Sequence, residues 1–404
     1  MNTCRDTLGG LRRAGFGLLL IASLAGCALV PPALDAKSLF DDSLFQHPAR
    51  PAEADNAMAL DASMRAYLHS ALLNRQLPQG KARALFDALY GVPAPTAESR
   101  LSLRLDYAAG GTRNAAQAFA ARSGNCLSLV VMTAAFAKAL DLPIEYQALV
   151  GQESWSRDGN LSLINGHVNI TVAKRMIDRV QGLDPDGWVR LDFGALPLGR
   201  GAALRRVSEA TIMSMFMNNR AAEALVRGDR AQAYAYAREA VLQDPGYAGA
   251  FNTLAVIYRL QGLADAAERT LRHALVLDGE HRAALDNLAR LLEAQDRAGE
   301  AAPLRQALRR IETEPPFQQF DLGRAALARG DYAAARDHLL REMRRDPDYH
   351  EFHFWLAIAL AGLGDKRGAS EQLTLALDNS TTKRDHALYA GKLERLKALA
   401  TRSN

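Results

Sequence analysis

Cys126 and His167 are the residues of this chain whose types and positions could support nucleophilic chemistry. The stretch RSGNCLS (122–128) places Cys126 directly before a long apolar run, so the thiol is predicted at the N-terminus of a helix. A helix N-terminus favours the thiolate, which is the nucleophilic form of cysteine. Of the nine histidines, only His167 lies between residues 70 and 272. We therefore expect Cys126 to act as a nucleophile and His167 as its base.

A carboxylate that orients the imidazole would complete a catalytic triad, and Asp192 is the first candidate. His167 opens the alternating segment HVNITVA, and Asp192 lies on the polar side of GWVRLDF. An antiparallel pairing with His167 opposite Asp192 requires the connector 174–186 to loop out. A tight hairpin on DPDG (184–187) would instead place Asp192 opposite Arg179. The alternatives for this role are Asn169 and Glu153.

The order of these residues resembles the transglutaminase-like (papain-like) cysteine domain. That family has Gly-x-Cys at the start of a helix, a histidine opening a strand and an aspartate on the next strand. Gly124-Asn125-Cys126, His167 and Asp192 match this pattern. The resemblance implies a Cys–His–Asp triad that acts on amide bonds through a thioester, in a peptidase, an amide hydrolase or an acyltransferase.

Two positions depart from the family pattern. No aromatic residue closely follows His167, and Phe193 stands where a proline usually follows the aspartate. Cys126 would attack the amide carbonyl, His167 would protonate the leaving amine, and the Cys126 backbone N–H would contribute to an oxyanion hole. The second oxyanion donor is not assigned.

The segments around these residues change from a helical period to a period of two. Helices are predicted at 54–73, 79–90, 112–122 and 126–140, and strands at 144–150, 167–173 and 187–193. Ser123 or Asn125 can cap the Cys126 helix, and Pro143 must end it. Helices followed by antiparallel strands indicate an α+β domain over residues 54–205.

Residues 206–404 contain a second pattern, with a period of 34 residues, as from 228 to 262. The turn of each unit is marked by Gly228, Gly262, Asp296, Gly330 and Gly364. Two helical segments flank each turn, which resembles the tetratricopeptide repeat. We expect about five units over residues 214–383 and a capping helix at 384–400. The predicted fold class is therefore an α+β transglutaminase-like (papain-like) domain followed by an all-α tetratricopeptide-repeat solenoid.

The aromatic residues of the repeats are expected to pack between helices rather than to contact a ligand. They are Tyr234, Tyr236, Tyr258 and Trp355. The sequence HEFH (350–353) lacks the histidine spacing of a zinc helix motif, and we expect neither a metal nor a cofactor.

The N-terminus has the pattern of a bacterial lipoprotein signal. Basic residues precede the apolar run FGLLLIASLAG, which ends in LAGC at Cys27. LAGC resembles a lipobox, which implies cleavage after residue 26, lipidation of Cys27 and a tether over residues 27–53. Ala28 after the cysteine favours the outer membrane, so the body is expected to face the periplasm. Cys126 would then be the only thiol left after processing, because Cys4 leaves with the signal peptide.

Two functions remain open at this stage. In the first, the chain is a cysteine-dependent envelope enzyme whose repeats recruit a protein or peptide substrate. In the second, it is a non-catalytic scaffold or adaptor whose repeats bind envelope proteins. A formal net charge of only +4 across 404 residues argues against nucleic acid as a partner.

Overall fold

The computed structural model has 404 residues, and its structure is described for most of the chain beyond residue 34. The described ranges are 35–45, 49–73, 80–91, 102–108, 111–158, 161–173, 188–191, 203–311, 317–344, 346–380 and 383–401. The expected signal peptide, Cys27 and Asp192 lie outside these ranges.

The first half of the chain contains short helices, one long helix and a small sheet. Its helices are α1 (Glu53–Asn56), α2 (Ala62–Leu68, continued by a π-helical turn to Leu73), α3 (Lys81–Tyr90), α4 (Ala115–Ala121) and α5 (Cys126–Ala139). Its strands are β1 (Asp106–Tyr107), β2 (Ser123–Gly124), β3 (Ile144–Asp158), β4 (Leu161–Ala173), β5 (Trp188–Leu191) and β6 (Ala203–Val207).

Helix α5 is the centre of this half. It is apolar around its whole circumference, and its residues from Leu127 to Ala137 are all buried. Asn125, one of the two predicted caps, adopts an extended conformation and accepts a hydrogen bond from the Ser128 N–H. The helix ends where Asp141 takes a left-handed conformation (φ 56°) shortly before Pro143.

The four-stranded sheet has the order β5-β4-β3-β6, with antiparallel neighbours throughout. Strands β3 and β4 extend well beyond the predicted segments 144–150 and 167–173. Ile170 lies opposite Leu191, so the register of β4 and β5 is displaced by two residues from the pairing that sets His167 opposite Asp192. This register also differs from the pairing that a tight hairpin on DPDG would give, in which Asp192 lies opposite Arg179.

The second half is an array of antiparallel helix pairs. Five pairs are formed by α6 (Glu209–Val226) and α7 (Arg230–Gln243), α8 (Ala248–Leu260) and α9 (Ala264–Leu277), α10 (Arg282–Glu293) and α11 (Ala298–Ile311), α12 (Gln318–Ala328) and α13 (Tyr332–Met343), and α14 (His350–Gly362) and α15 (Lys366–Asp378). Helix α16 (Lys383–Thr401) packs against α15 as a cap. The tetratricopeptide-like repeat fold predicted from the 34-residue period is confirmed.

The turns explain why the period is visible in the sequence. The four turn glycines have φ between 75° and 84°, where a side chain is unfavourable. Asp296 adopts the same left-handed region (φ 60°) in the third unit, where the other four units have glycine. Asp229, Asp331 and Asp365 follow their glycines and cap the second helix of three units.

One apolar core joins the two halves. It extends from Leu39 through α5 and the buried strand residues Val168 and Ile170 into the first three repeat units, as far as Ala301. Smaller clusters hold the fourth and fifth units together. The helix that begins the array, α6, therefore covers the same core as α5.

The predicted fold class is wrong. The described part of the chain is predominantly helical and its sheets are small, with no sign of a transglutaminase-like (papain-like) α+β domain. Alternating polarity located part of β3, β4 and β5 but missed β6, and it carries no information about what covers the strands. The four-stranded sheet packs against α5, contacts α6 through β3 and shares the core of both helices, so it does not define a separate domain.

Residues 36–45 and 49–56, here called the N-terminal strap, pack on the first two repeat units. Phe45 stacks on Tyr234 with ring centroids 3.9 Å apart. Tyr234 Oη donates to Asp42 Oδ1 (2.9 Å), and Tyr258 Oη donates to the Leu39 carbonyl (2.7 Å). The repeat tyrosines thus contact a part of the chain that the sequence assigns mainly to a tether.

Ion pairs reinforce the N-terminal strap. Arg50 forms one with Glu239 (3.0 Å), whose side chain is only 3% exposed, and Arg238 forms another with Asp42 (2.9 Å). The buried Glu239 carboxylate depends on Arg50, because an unpaired charge at that depth is strongly unfavourable.

None of the described helices is both long and apolar enough to cross a membrane.

Phe45→Ala should destabilise the protein, because it removes a ring that is 4% exposed and stacked on Tyr234. We expect a loss of about 3 kcal/mol in the free energy of unfolding, measured by chemical denaturation. The neighbouring Leu44 is 50% exposed, so Leu44→Ala is the matched control and should change stability by less than about 0.5 kcal/mol. Equal effects of the two substitutions would contradict the packing of the strap.

Acidification should weaken the array through His281. Its Nδ1 accepts the Ala284 N–H and caps α10, and burial lowers its pKa in the folded state. The unfolded chain therefore binds the proton more readily, so stability is lost as pH falls through the unfolded pKa of about 6.5. His281→Asn keeps a capping oxygen without titrating. The denaturation midpoint should drop less between about pH 7.5 and about pH 5.5 in this variant than in the wild type.

Candidate functional site

The loop before α5 is shaped to place Cys126 at the first turn. Strands β1 and β2 pair in parallel, with Tyr107 opposite Gly124, and Arg122 enters the loop in a left-handed conformation (φ 51°). A Cβ on Gly124 would lie 2.7 Å from the Ser128 Cβ, so only glycine fits. Cys126 is half-buried at the end of this loop.

Polar contacts lock the same loop. Asn125 Oδ1 accepts from both the N–H and the hydroxyl of Ser128 (2.9 and 2.7 Å), and its Nδ2 donates to Thr112 Oγ1 (3.1 Å). The Arg113 N–H donates to Ser128 Oγ (2.8 Å). Thr112 is itself held by α6, because its N–H donates to Glu223. The start of the thiol-bearing helix is thereby connected to the first helix of the repeat array.

His167 lies on the strand that packs against α5. It occupies an irregular point of β4, between the pairs Ala148–Val168 and Glu153–Gly166, where the register of the ladder shifts. Such bulges redirect side chains and are common beside functional sites. His167 is half-buried, whereas the two residues that follow it are fully buried.

The three candidates for the orienting group differ in what the structure describes. Asp192 lies outside the described residues, directly after the last residue of β5. Glu153 is opposite Gly166 in the β3–β4 ladder. Asn169 is completely buried, and neither of its side-chain polar atoms has a hydrogen-bond partner among the described residues.

Asn169 belongs to a group of buried polar side chains on one face of the sheet. Gln147 lies directly opposite Asn169, and Thr171 follows two residues later on the same strand. Gln147 Oε1 and Thr171 Oγ1 also lack hydrogen-bond partners. An unsatisfied buried polar group lowers the free energy of unfolding by about 1–3 kcal/mol, so the polar groups on this face destabilise the fold.

Tyr107 connects the thiol with the repeat array electrostatically. Its pKa is raised to about 12, first by burial and then by nearby negative charge. That charge comes from Cys126 and from two carboxylates of the loop between α13 and α14, Asp346 and Asp348. The loop after the fourth repeat unit therefore acts electrostatically on the same tyrosine as Cys126 does. A repeat period does not indicate which units lie near a distant loop, so these carboxylates could not be found from the sequence.

The histidines of HEFH have structural partners. His350 Nδ1 is 2.8 Å from Tyr389 Oη, and His353 contacts Gln372 and the Pro347 carbonyl, each at 2.7 Å. Both side chains are buried. Within the described ranges no group of histidine, cysteine and acidic residues could hold a metal ion.

The array of first helices presents amide side chains on neighbouring units. Asn252 on α8 and Asn287 on α10 are half-buried, and Asn287 Nδ2 donates to Asn252 Oδ1 (2.9 Å). Asn218 on α6, one period before Asn252, is buried with an unpartnered Oδ1. These asparagines could have been found by aligning the repeat units and comparing the polar residues of their first helices.

Comparisons with known proteins give fold-level likenesses only. No family model matches the chain, and no curated protein matches it in sequence. Similar solved structures include MamA (18% identity over 41% of this chain and 91% of that chain, TM-score 0.24). YrrB, described as a tetratricopeptide protein with an unusual peptide-binding site, is 19% identical over 45% of this chain and 92% of that one, with TM-score 0.24. A thermophilic tetratricopeptide protein of Thermus thermophilus is 17% identical over 45% of this chain and 98% of that one, with TM-score 0.30. Because these TM-scores are low, the repeat fold of this chain is established by its own helix pairs.

Proposed function

We propose that this chain is a scaffold or adaptor that binds extended segments of partner proteins along the first helices of its repeat array. The observation that carries the proposal is the row of asparagines on α6, α8 and α10. An asparagine amide offers both a donor and an acceptor, as the backbone of an extended peptide does. Successive amides on neighbouring helices can therefore hold a peptide backbone without requiring one side-chain sequence.

Binding of unspecific peptide sequences is the direct test. A pool of random decapeptides, acetylated and amidated at their ends, is passed over the immobilised full chain. The double substitution Asn252→Ala/Asn287→Ala should lower the retained fraction about tenfold, as expected for lost hydrogen bonds at two positions. Gln306 on α11 is an exposed amide outside the row, so Gln306→Ala is the matched control and should retain the wild-type fraction. The proposal is wrong if the wild type retains no peptide or the double variant retains as much.

We also infer, from the N-terminal sequence alone, that the array is held at the periplasmic side of the outer membrane. The support is the LAGC motif at Cys27 behind a basic and apolar leader. Multiple acyl chains on one cysteine anchor a protein stably to a membrane leaflet.

We propose thiol chemistry at Cys126 as a second function, favoured by its position at the N-terminus of α5, the helix that packs against the strand carrying His167. The Cys126 sulfur would attack an amide carbonyl carbon, and the thiol proton would pass to His167. Collapse of the tetrahedral intermediate would break the C–N bond, with His167 returning the proton to the leaving amine. Water or a second amine would then release the acyl group from the thioester.

Alkylation of the thiol tests this second function. Iodoacetamide modification of Cys126 near neutral pH is followed by mass spectrometry of the peptide that contains it, so other cysteines do not interfere. His167→Ala should slow the modification at least about tenfold, in keeping with the usual contribution of a general base. His69 is exposed and distant in sequence, and His69→Ala should leave the rate unchanged. Equal rates in all three proteins would exclude a thiol–imidazole pair.

A further inference from the structure

A pocket of about 560 Å³ opens between the fourth and fifth repeat units. It is lined by Asp321, Arg324, Ala325, Leu327 and Ala328 of α12, Tyr332 of α13, and Trp355 and Ile358 of α14. Most of these residues lie on α12 and α14, which are the first helices of their pairs. Helices α8 and α10, which carry Asn252 and Asn287, are also the first helices of their pairs.

The cationic group of this pocket is Arg324. Its guanidinium carbon is 4.9 Å from the Trp355 ring centroid and 5.7 Å from that of Phe320. Among the described residues it forms no ion pair, whereas Arg272, Arg297 and Arg305 in the preceding units are all paired. Stacking on an aromatic ring holds the planar guanidinium in a fixed orientation and leaves its N–H edge available to a carboxylate.

The rest of the pocket is apolar and has room for a side chain. Trp355, Ile358 and Leu327 are half-buried and form its apolar surface. Ala325 and Ala328 are small and exposed, so they leave space beside Arg324 and Trp355. An exposed apolar surface of this kind beside one unpaired cation favours a ligand that has an apolar group and a negative charge close together.

We propose that this pocket binds an internal segment of a partner protein in which an acidic residue lies next to a large apolar residue. The carboxylate pairs with Arg324, and the apolar side chain packs against Trp355 and Ile358. The inference rests on the proposed peptide-binding function and specifies which sequences that function selects. Asp321 also lines the pocket, and its negative charge disfavours a doubly charged group such as a phosphorylated side chain.

Sequence analysis of bound peptides tests the proposal. The same random decapeptides, acetylated and amidated, are bound to the full chain, eluted and sequenced. Wild type should enrich Asp or Glu adjacent to Leu, Ile, Phe or Trp about tenfold over Asn or Gln in that position, as expected for a charge-assisted pair. Arg324→Gln should abolish that preference. Arg329 is exposed on the same helix but does not line the pocket, and Arg329→Gln should keep the preference.

A second variant separates the pocket from the charge. Ala328→Phe fills the space beside Trp355 and leaves Arg324 unchanged. We expect it to reduce retention of peptides in which an acidic residue lies next to a large apolar one. Circular dichroism of each variant confirms that the helices are intact.

The outcomes separate the pocket's preference for acidic residues from the general peptide-binding function. Peptides retained without an acidic preference, or a preference unchanged in Arg324→Gln, overturn this proposal and leave the general peptide-binding function standing. Retention of no peptide at all by the wild type overturns both. A parallel pool with free C-termini distinguishes an internal acidic residue from a terminal carboxylate. Enrichment only in that pool would overturn the internal segment proposed here.

Discussion

Helix α5 is apolar on every side, and this constraint determines what surrounds it. A helix of this kind is stable only when other elements cover its whole circumference, since each exposed apolar side would cost stabilisation. The sheet strand β4, helices α3 and α4, and the first repeat helix α6 provide that cover. The repeat array is thus joined to the first half by burial of a common core, and polar contacts from Thr112 to Glu223 add orientation to the connection.

The sequence predicted those elements whose signal is local. The 34-residue period, the turn glycines and the run from Cys126 to Pro143 each reflect conformational preferences of a few neighbouring residues, and they located the helices well. The prediction of an α+β domain was wrong because a period of two identifies a strand but does not indicate which elements pack on it. The β4–β5 register, displaced by two residues, depends on a connector outside the described residues. The electrostatic effect of Asp346 and Asp348 on Tyr107 depends on how the units stack, which no local sequence pattern indicates.

The candidate thiol site and the repeat array are coupled through defined contacts. Asn125 caps α5 and holds Thr112, while Glu223 and Arg220 of α6 hold Thr112 from the other side. Arg220 also contacts Glu53 of the N-terminal strap and Tyr236 of α7. A displacement of α6 would therefore move Thr112 and, through Asn125, the N-terminus of α5 that carries Cys126. This arrangement links the two proposed functions physically without requiring that one depend on the other.

The N-terminal strap has a mechanical consequence for the array. In a stack of repeats each unit contacts mainly its neighbours, so small rotations between units accumulate along the chain. The N-terminal strap holds the first two units through a ring stack, hydrogen bonds and an ion pair, and α16 packs against the last helix of the fifth unit. Rotation of the first two units relative to the strap would separate the Phe45 and Tyr234 rings and leave the buried Glu239 carboxylate without Arg50. The strap therefore stiffens that end of the array.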